Sequence, residues 1–173
     1  MKVFAAAQFC VLLSVSFSSV LGCRWVKHKL QHHHGISLDL LRRMGEKIHD
    51  DNEDINPIPY DLINNHRMAE PEKQIQFVIQ ALVEITALFD DSLVPWDAKK
   101  MDDFLNIMHE EIDGLRSCGS YKMKRNKKLH LYFNRLRRMT ELNTDGGRSW
   151  EMVRKRVISL MNQLHSFSFQ THV

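Results

Sequence analysis

Between Ile75 and Phe89 the apolar residues return every three or four positions, at Ile75, Val78, Ile79, Leu82, Ile85 and Phe89. No other feature restricts the fold as tightly. Side chains three and four apart share one face of an α-helix but would fall on both faces of a strand. The pattern recurs along the chain. Met101, Phe104, Leu105, Met108, Ile112 and Leu115 form a second stripe, and Leu129, Phe133, Leu136 and Met139 a third. A fourth runs through Trp150, Val153, Val157, Leu160, Met161 and Leu164, and Leu41, Met44 and Ile48 mark a fifth near the N-terminus. Alternating β-branched runs are absent, and only seven glycines and four prolines interrupt 173 residues. The expected class is all-α, with five main helices burying their stripes against one another.

Helix breakers suggest the boundaries. Pro71 and Pro95 stand where a first helical turn accepts proline, each near acids that suit a helix N-terminus. Thr144-Asp145-Gly146-Gly147 is expected to end one helix, and Ser149 to cap the next. The links at 90–95 and 143–148 are short, so their helices should be antiparallel neighbours. The link over 49–70 differs: about twenty residues with Asp50, Asp51, Glu53, Asp54, Pro57 and Pro59. It is long enough to run the length of a bundle and leave the first two long helices parallel. Overhand connections of that kind mark long-chain helical cytokine bundles.

The first 22 residues read as a leader. Lys2 precedes an apolar and small-residue run, Val3 to Val20, without an acid or a base. Val20-Leu21-Gly22 suits cleavage before Cys23, so the expected division is a signal peptide over 1–22 and one secreted domain over 23–173. That domain is long enough to build its own core. Cys10 leaves with the leader, and Cys23 and Cys118 remain. An even pair in a secreted chain usually means one disulfide, here closing a loop of about 95 residues worth roughly 4–5 kcal/mol. The string Val-Leu-Gly-Cys also loosely resembles a lipidated-cysteine site, which would leave Cys118 unpaired. No N-glycosylation sequon is present. The formal net charge of +3 is mild and predicts no particular partner.

Reactive constellations are scarce. There is no G-x-S-x-G elbow, no glycine-rich phosphate loop and no C-x-x-C pair. His109-Glu110-Glu111 resembles the opening of a zinc-protease motif, but Asp113 stands where the second histidine is needed. His28 and His32 share a helical face at a spacing that can hold zinc or copper, yet no nearby cysteine or acid completes a site. His28, His32, His33 and His34 are expected to be a solvated cluster. No catalytic residue, metal or cofactor is assigned.

Residues 122–138 carry eight basic side chains: Lys122, Lys124, Arg125, Lys127, Lys128, Arg135, Arg137 and Arg138. Tyr132 and Phe133 fall on or beside the core stripe and form no stacking platform, so nucleic acid is not expected. A solvated helix face is one reading; weak binding to heparan sulfate or to an acidic receptor surface is the other.

On the last stripe, at about 100° per residue, Trp150, Val153, Val157, Leu160, Met161 and Leu164 share one arc. Beside it, over roughly 40° to 140° from Trp150, lie Arg154, Ile158, Glu151, Asn162 and Lys155. Ile158 is then an apolar side chain among polar ones. That describes a lone exposed apolar residue or a binding anchor with a polar rim, and geometry leaves the two near even. Membrane insertion is not expected, because the apolar arc is needed to close the bundle.

Leu131-Tyr132-Phe133-Asn134-Arg135-Leu136, followed after a polar gap by Ser149-Trp150-Glu151-Met152-Val153-Arg154, resembles the last two helices of type I interferons. Cys23-Arg24-Trp25 directly after the leader, and Asp113-Gly114-Leu115-Arg116-Ser117-Cys118, resemble the bony-fish members. The likeness covers roughly 23–168. Ser149 stands where mammalian members carry a cysteine, and the 49–70 link has none, so the chain looks like the two-cysteine group of fish members. The resemblance implies a secreted antiviral cytokine that binds two class II cytokine receptor chains and signals through Janus kinases. It places residues matching Arg154, Lys155 and Ile158 against the high-affinity chain, with Asn162 one turn on. Another long-chain helical cytokine or hormone, or a small secreted helical ligand- or metal-binding protein, remains the alternative.

Overall fold

Each apolar stripe lies on a helix in the computed structural model, which describes residues 25–45, 57–90, 93–119, 123–141, 146–167 and 169. Residues 1–22, the expected leader, lie outside these residues, as do Cys23 and Ile48. A π-helical stretch, Val26–Leu30, runs into α1 (Gln31–Met44). There follow α2 (Tyr60–Arg67), α3 (Pro71–Asp90), α4 (Ala98–Arg116), α5 (Lys127–Glu141) and α6 (Gly146–His165), with no strand among the described residues. The five long helices are those the stripes predict.

Their contacts run α6–α1–α4–α3–α5 and return to α6, which closes the bundle. Apolar positions of every long helix meet in one core, including Leu41, Leu82, Phe104, Phe133 and Val157, all with no exposed surface. Helix α3 is buried more widely than its stripe, with Phe77, Ala81 and Leu88 also inside. It touches α2, α4 and α5, so one apolar face is not enough.

Three boundary expectations are corrected. Helix α4 is opened by Asp97, whose Oδ1 accepts the Lys100 N–H at 2.9 Å, and Pro95 stands before the cap rather than in the first turn. Ser149 does not cap α6. That helix already begins at Gly146, and Ser149 lies inside its first turn, 2% exposed. No described glycine has a positive φ, so Gly146 and Gly147 continue the helix instead of ending one. The 49–70 link also holds a helix, α2, in its second half. Ile58 and Ile63 are buried, His66 stacks 4.1 Å from Phe77, and the Arg67 guanidinium lies 5.7 Å from the Phe167 ring. Asp50 to Asp54 lie outside the described residues, while Leu62 and Ile63 give this element apolar side chains to bury.

Candidate functional site

Helix α6 carries all four residues expected to form a contact face, and the structure divides them. Trp150 packs into an aromatic group with Phe89 (6.0 Å) and Trp96 (5.9 Å). Trp96 Nε1 donates to Glu151 Oε1 at 2.6 Å. Glu151 Oε2 accepts from Arg154 Nε and Nη2 at 2.9 and 2.7 Å. Arg154 Nη1 in turn donates to the carbonyls of Leu41 (2.9 Å) and Arg42 (3.2 Å) in the last turn of α1. Those carbonyls have no partner within their own helix, and a cation also suits a helix C-terminus. A Cβ on Gly45, just beyond α1, would overlap the Glu151 carboxylate and the Arg154 guanidinium. Only glycine lets the chain leave α1 this close to the pair.

Arg154 is therefore 0% exposed and Ile158 4% exposed, which corrects their placement on the outer arc. The reason is that α6 packs on both α1 and α5, so its buried arc is wider than its apolar stripe. Polar Arg154 enters that arc because its donors find acceptors there. Lys155 is half-buried and Asn162 exposed. Asn162 Oδ1 accepts from Arg42 Nη2 of α1 at 2.8 Å. The outward surface of α6 thus centres on Lys155, Ser159 and Asn162 rather than on an isoleucine.

A second polar centre joins α1, α4 and α6. His34 Nδ1 lies 3.0 Å from Glu111 Oε2, and His34 Nε2 lies 2.9 Å from the Met161 carbonyl oxygen. Ser37 Oγ donates to Glu111 Oε1 at 2.8 Å. A carbonyl only accepts, so Nε2 carries a hydrogen, and when the ring takes a second proton Nδ1 shares it with the carboxylate. Burial pulls the His34 pKa down, but the hydrogen bond and charge of Glu111 and the Met161 carbonyl outweigh it and leave the value raised. The His165 ring stacks on His34 at 5.5 Å. Its pKa is lowered, first by partial burial and then by His34.

His34 is thus removed from the expected solvated cluster, while His28 and His32 are exposed as expected. The signal for this is present in the residue pattern. Glu111 falls between Met108 and Ile112 on the α4 stripe, and His34 and Ser37 continue the Leu38–Leu41–Met44 face backward. Among the described residues no group of three or more His, Cys, Asp or Glu side chains is placed to hold a metal ion. None of the described helices is long and apolar enough to cross a membrane.

Basic helix α5 turns Tyr132 and Phe133 inward, 3% and 0% exposed, as its stripe requires. Burial pushes the Tyr132 phenol well above its ordinary range, with Arg156 opposing. Arg137 pairs with Glu84 at 3.0 Å, whereas Lys124, Arg125, Lys127, Lys128, Arg135 and Arg138 are exposed. Lys122 lies outside the described residues. So does Cys23; its expected partner Cys118 is buried just beyond α4, and the Trp25 ring sits where a Cβ on Gly114 would go.

Comparison with known proteins adds the context for this geometry. The interferon alpha/beta domain family matches residues 26–170, through every helix described above. Interferon a3 of Oncorhynchus mykiss is 32% identical over 168 residues, covering 94% of this chain and 95% of that one. Among solved structures, zebrafish interferon 1 superposes with a TM-score of 0.70 at 25% identity, over 83% of this chain and 96% of that one.

Proposed function

The chain belongs to the interferon alpha/beta family, and we propose that it acts by bringing two class II cytokine receptor chains together on the cell surface. As an interferon it is an antiviral cytokine and not an enzyme. Binding is then the whole mechanism: receptor-associated Janus kinases meet, STAT proteins are activated, and interferon-stimulated genes are transcribed. The observation that carries this reading is a family match running unbroken from the first helix to the last.

One receptor chain meets α6 at Lys155 and Asn162, with Arg42 of α1 beside them. Support for this placement is the outward position of Asn162, its bond to Arg42 and the partial exposure of Lys155. Arg154 and Ile158 then act on that face from beneath. Arg154 ties α6 to the last turn of α1, and Ile158 fills the seam, so both set the surface that the receptor meets without lying on it. Residues 1–22 are removed as a leader, the mature chain is secreted, and Cys23 bridges to Cys118. The bridge is supported by Trp25, close to Cys23 in the chain, lying over Gly114, one helical turn before Cys118.

The test is to add purified protein beginning at Cys23 to fish cells and measure antiviral transcription. Deleting either receptor chain should abolish the response. A full response in cells lacking each candidate class II chain in turn would remove the reading. For the bridge, thiol titration of the native secreted protein should find no free thiol, and two would rule it out.

A further inference from the structure

We propose that the outer face of α5, with the cleft at its N-terminal end, binds a linear sulfated polysaccharide. This partner is additional to the receptor chains, and the proposal stands whether or not the receptor reading holds.

On a helix of 3.6 residues per turn, Lys127, Arg138, Arg135 and Lys128 fall within an arc of about 100°. All four are exposed, and among the described residues no carboxylate pairs with any of them. Arg137, turned away from this arc, takes the nearby carboxylate of Glu84 at 3.0 Å. The arc therefore holds four cations with no internal neutralisation. It extends roughly 16 Å along the helix axis, long enough to meet several sulfates of one chain.

The strip continues into a cleft of about 310 Å³ whose lining includes Lys73 of α3 and Lys124 and Arg125 of the segment before α5. That segment is held in place. Gln80 Nε2 donates to the Lys124 carbonyl at 2.9 Å, and Gln80 Oε1 accepts the Asn126 N–H at 2.7 Å. Asn126 Oδ1 accepts the Leu129 N–H at 3.1 Å, which caps α5. Lys124 and Arg125 thus project from a fixed backbone, so little backbone ordering is needed when an anion arrives. One sulfate fits the cleft and others follow the helix.

The arc suits this polymer better than a protein or a nucleic acid. Its exposed apolar side chain is Leu131, 54% exposed, which is too little for the desolvated centre of a protein interface. Tyr132 and Phe133 face the core, so bases would find no aromatic surface to stack on. Sulfates need only spaced cations and donors, and these are what the arc presents. Exposed acids Asp102, Asp103, Glu110 and Asp113 lie on α4, which is not a neighbour of α5 in the ring. A polyanion is thereby drawn to the α5 side.

The experiment is retention of the whole mature chain on immobilised heparin as salt is varied. Two α5-side variants, Lys124→Ser/Arg125→Ser and Arg135→Ser/Arg138→Ser, are compared with Lys99→Ser/Lys100→Ser on α4, which removes the same charge. Each α5-side pair should weaken binding about tenfold or more near 0.15 M salt, and flatten the salt dependence by about one unit per cation removed. The α4 control should change little. Equal loss from the control would show that net charge alone retains the protein, and would overturn the proposal. Equal retention on desulfated heparin would overturn it as well. If the α5-side variants keep heparin affinity but lose receptor binding, the face serves an acidic protein surface instead and the proposal fails.

Discussion

Arg154 is buried against α1 and His34 is buried on α1 itself, and each has a carboxylate within 3.0 Å. Arg154 grips the last turn of α1, where Glu151 and two carbonyls surround it. His34 sits in the first turns of α1, between Glu111 of α4 and the Met161 carbonyl of α6. The difference is chemical. A guanidinium cannot release its proton in a protein, whereas an imidazole can. The first lock is therefore permanent and the second is adjustable. Together they fix α1 against α6 at two levels, which positions the Arg42–Asn162 seam on the surface between them.

The comparison is broken most severely by removing a carboxylate partner. Glu151→Ala takes its carboxylate partner from the buried, charged Arg154, and also strips the Trp96 indole of its acceptor. The expected loss is about 3 kcal/mol, because stranding one member of a buried pair is costly. Urea unfolding should show the same loss at pH 6 and pH 9; a loss that varies with pH would mean that Arg154 is not the charge left behind. Glu111→Ala should cost less, about 2 kcal/mol, because His34 can shed its proton once the carboxylate is gone. Its cost should be greater at pH 6 than at pH 9, and a flat profile would contradict the shared proton.

In the wild-type protein the two locks separate by titration. The folded pKa of His34 is raised above 6.5, so its contribution is fully present below 6.5 and is lost as pH rises through the higher folded value. His165 works oppositely. Its folded pKa is lowered, so stability declines as pH falls below 6.5 toward that value. Groups facing the pair are Glu111 from α4, the Met161 carbonyl from α6, and Ser37 and Arg42 from α1. Unfolding midpoints in His165→Gln should therefore fall steadily as pH rises above 6.5, and Glu111→Ala should remove that slope. If the slope survives Glu111→Ala, the titrating group lies elsewhere.

Much of the helical framework is legible in the sequence alone. The stripes at 75–89, 101–115, 129–139 and 150–164 locate four helices, because three- and four-residue recurrence has one geometric meaning. The two locks are also written there, but in a form that hydrophobic periodicity misreads. Glu111 sits on an apolar stripe and Arg154 beside one, and a wheel assigns charged residues to water by default. Their burial depends on acceptors from a different helix: the α1 carbonyls for Arg154, and His34 and Ser37 for Glu111. No periodicity within one helix reports a partner on another. The same limit places Ile158 outside, because the wheel of α6 does not show where the neighbouring helices lie. The Trp-Glu-x-Val-Arg string is a sound guide to the family for a structural reason. Its glutamate and arginine are the lock itself, and its tryptophan, Trp150, packs against Trp96, whose indole holds that glutamate.

The smallest effect on stability should come from the surface that the locks support. Lys155→Glu reverses a half-buried charge on the outer arc, and unfolding should shift by about 1 kcal/mol or less. Receptor binding is expected to fall severalfold, since a cation offered to an acidic partner becomes a repelling anion. Conservative Arg154→Lys makes the opposite cut. Lysine keeps the charge but loses the fork that reaches Glu151 and two carbonyls at once, so stability should drop while any binding loss follows from a displaced α6. The two variants therefore sort contact from support. If Lys155→Glu leaves receptor affinity untouched while Arg154→Lys lowers it at full helix content, Arg154 reaches the receptor from within the seam, and the division between lock and face must be redrawn.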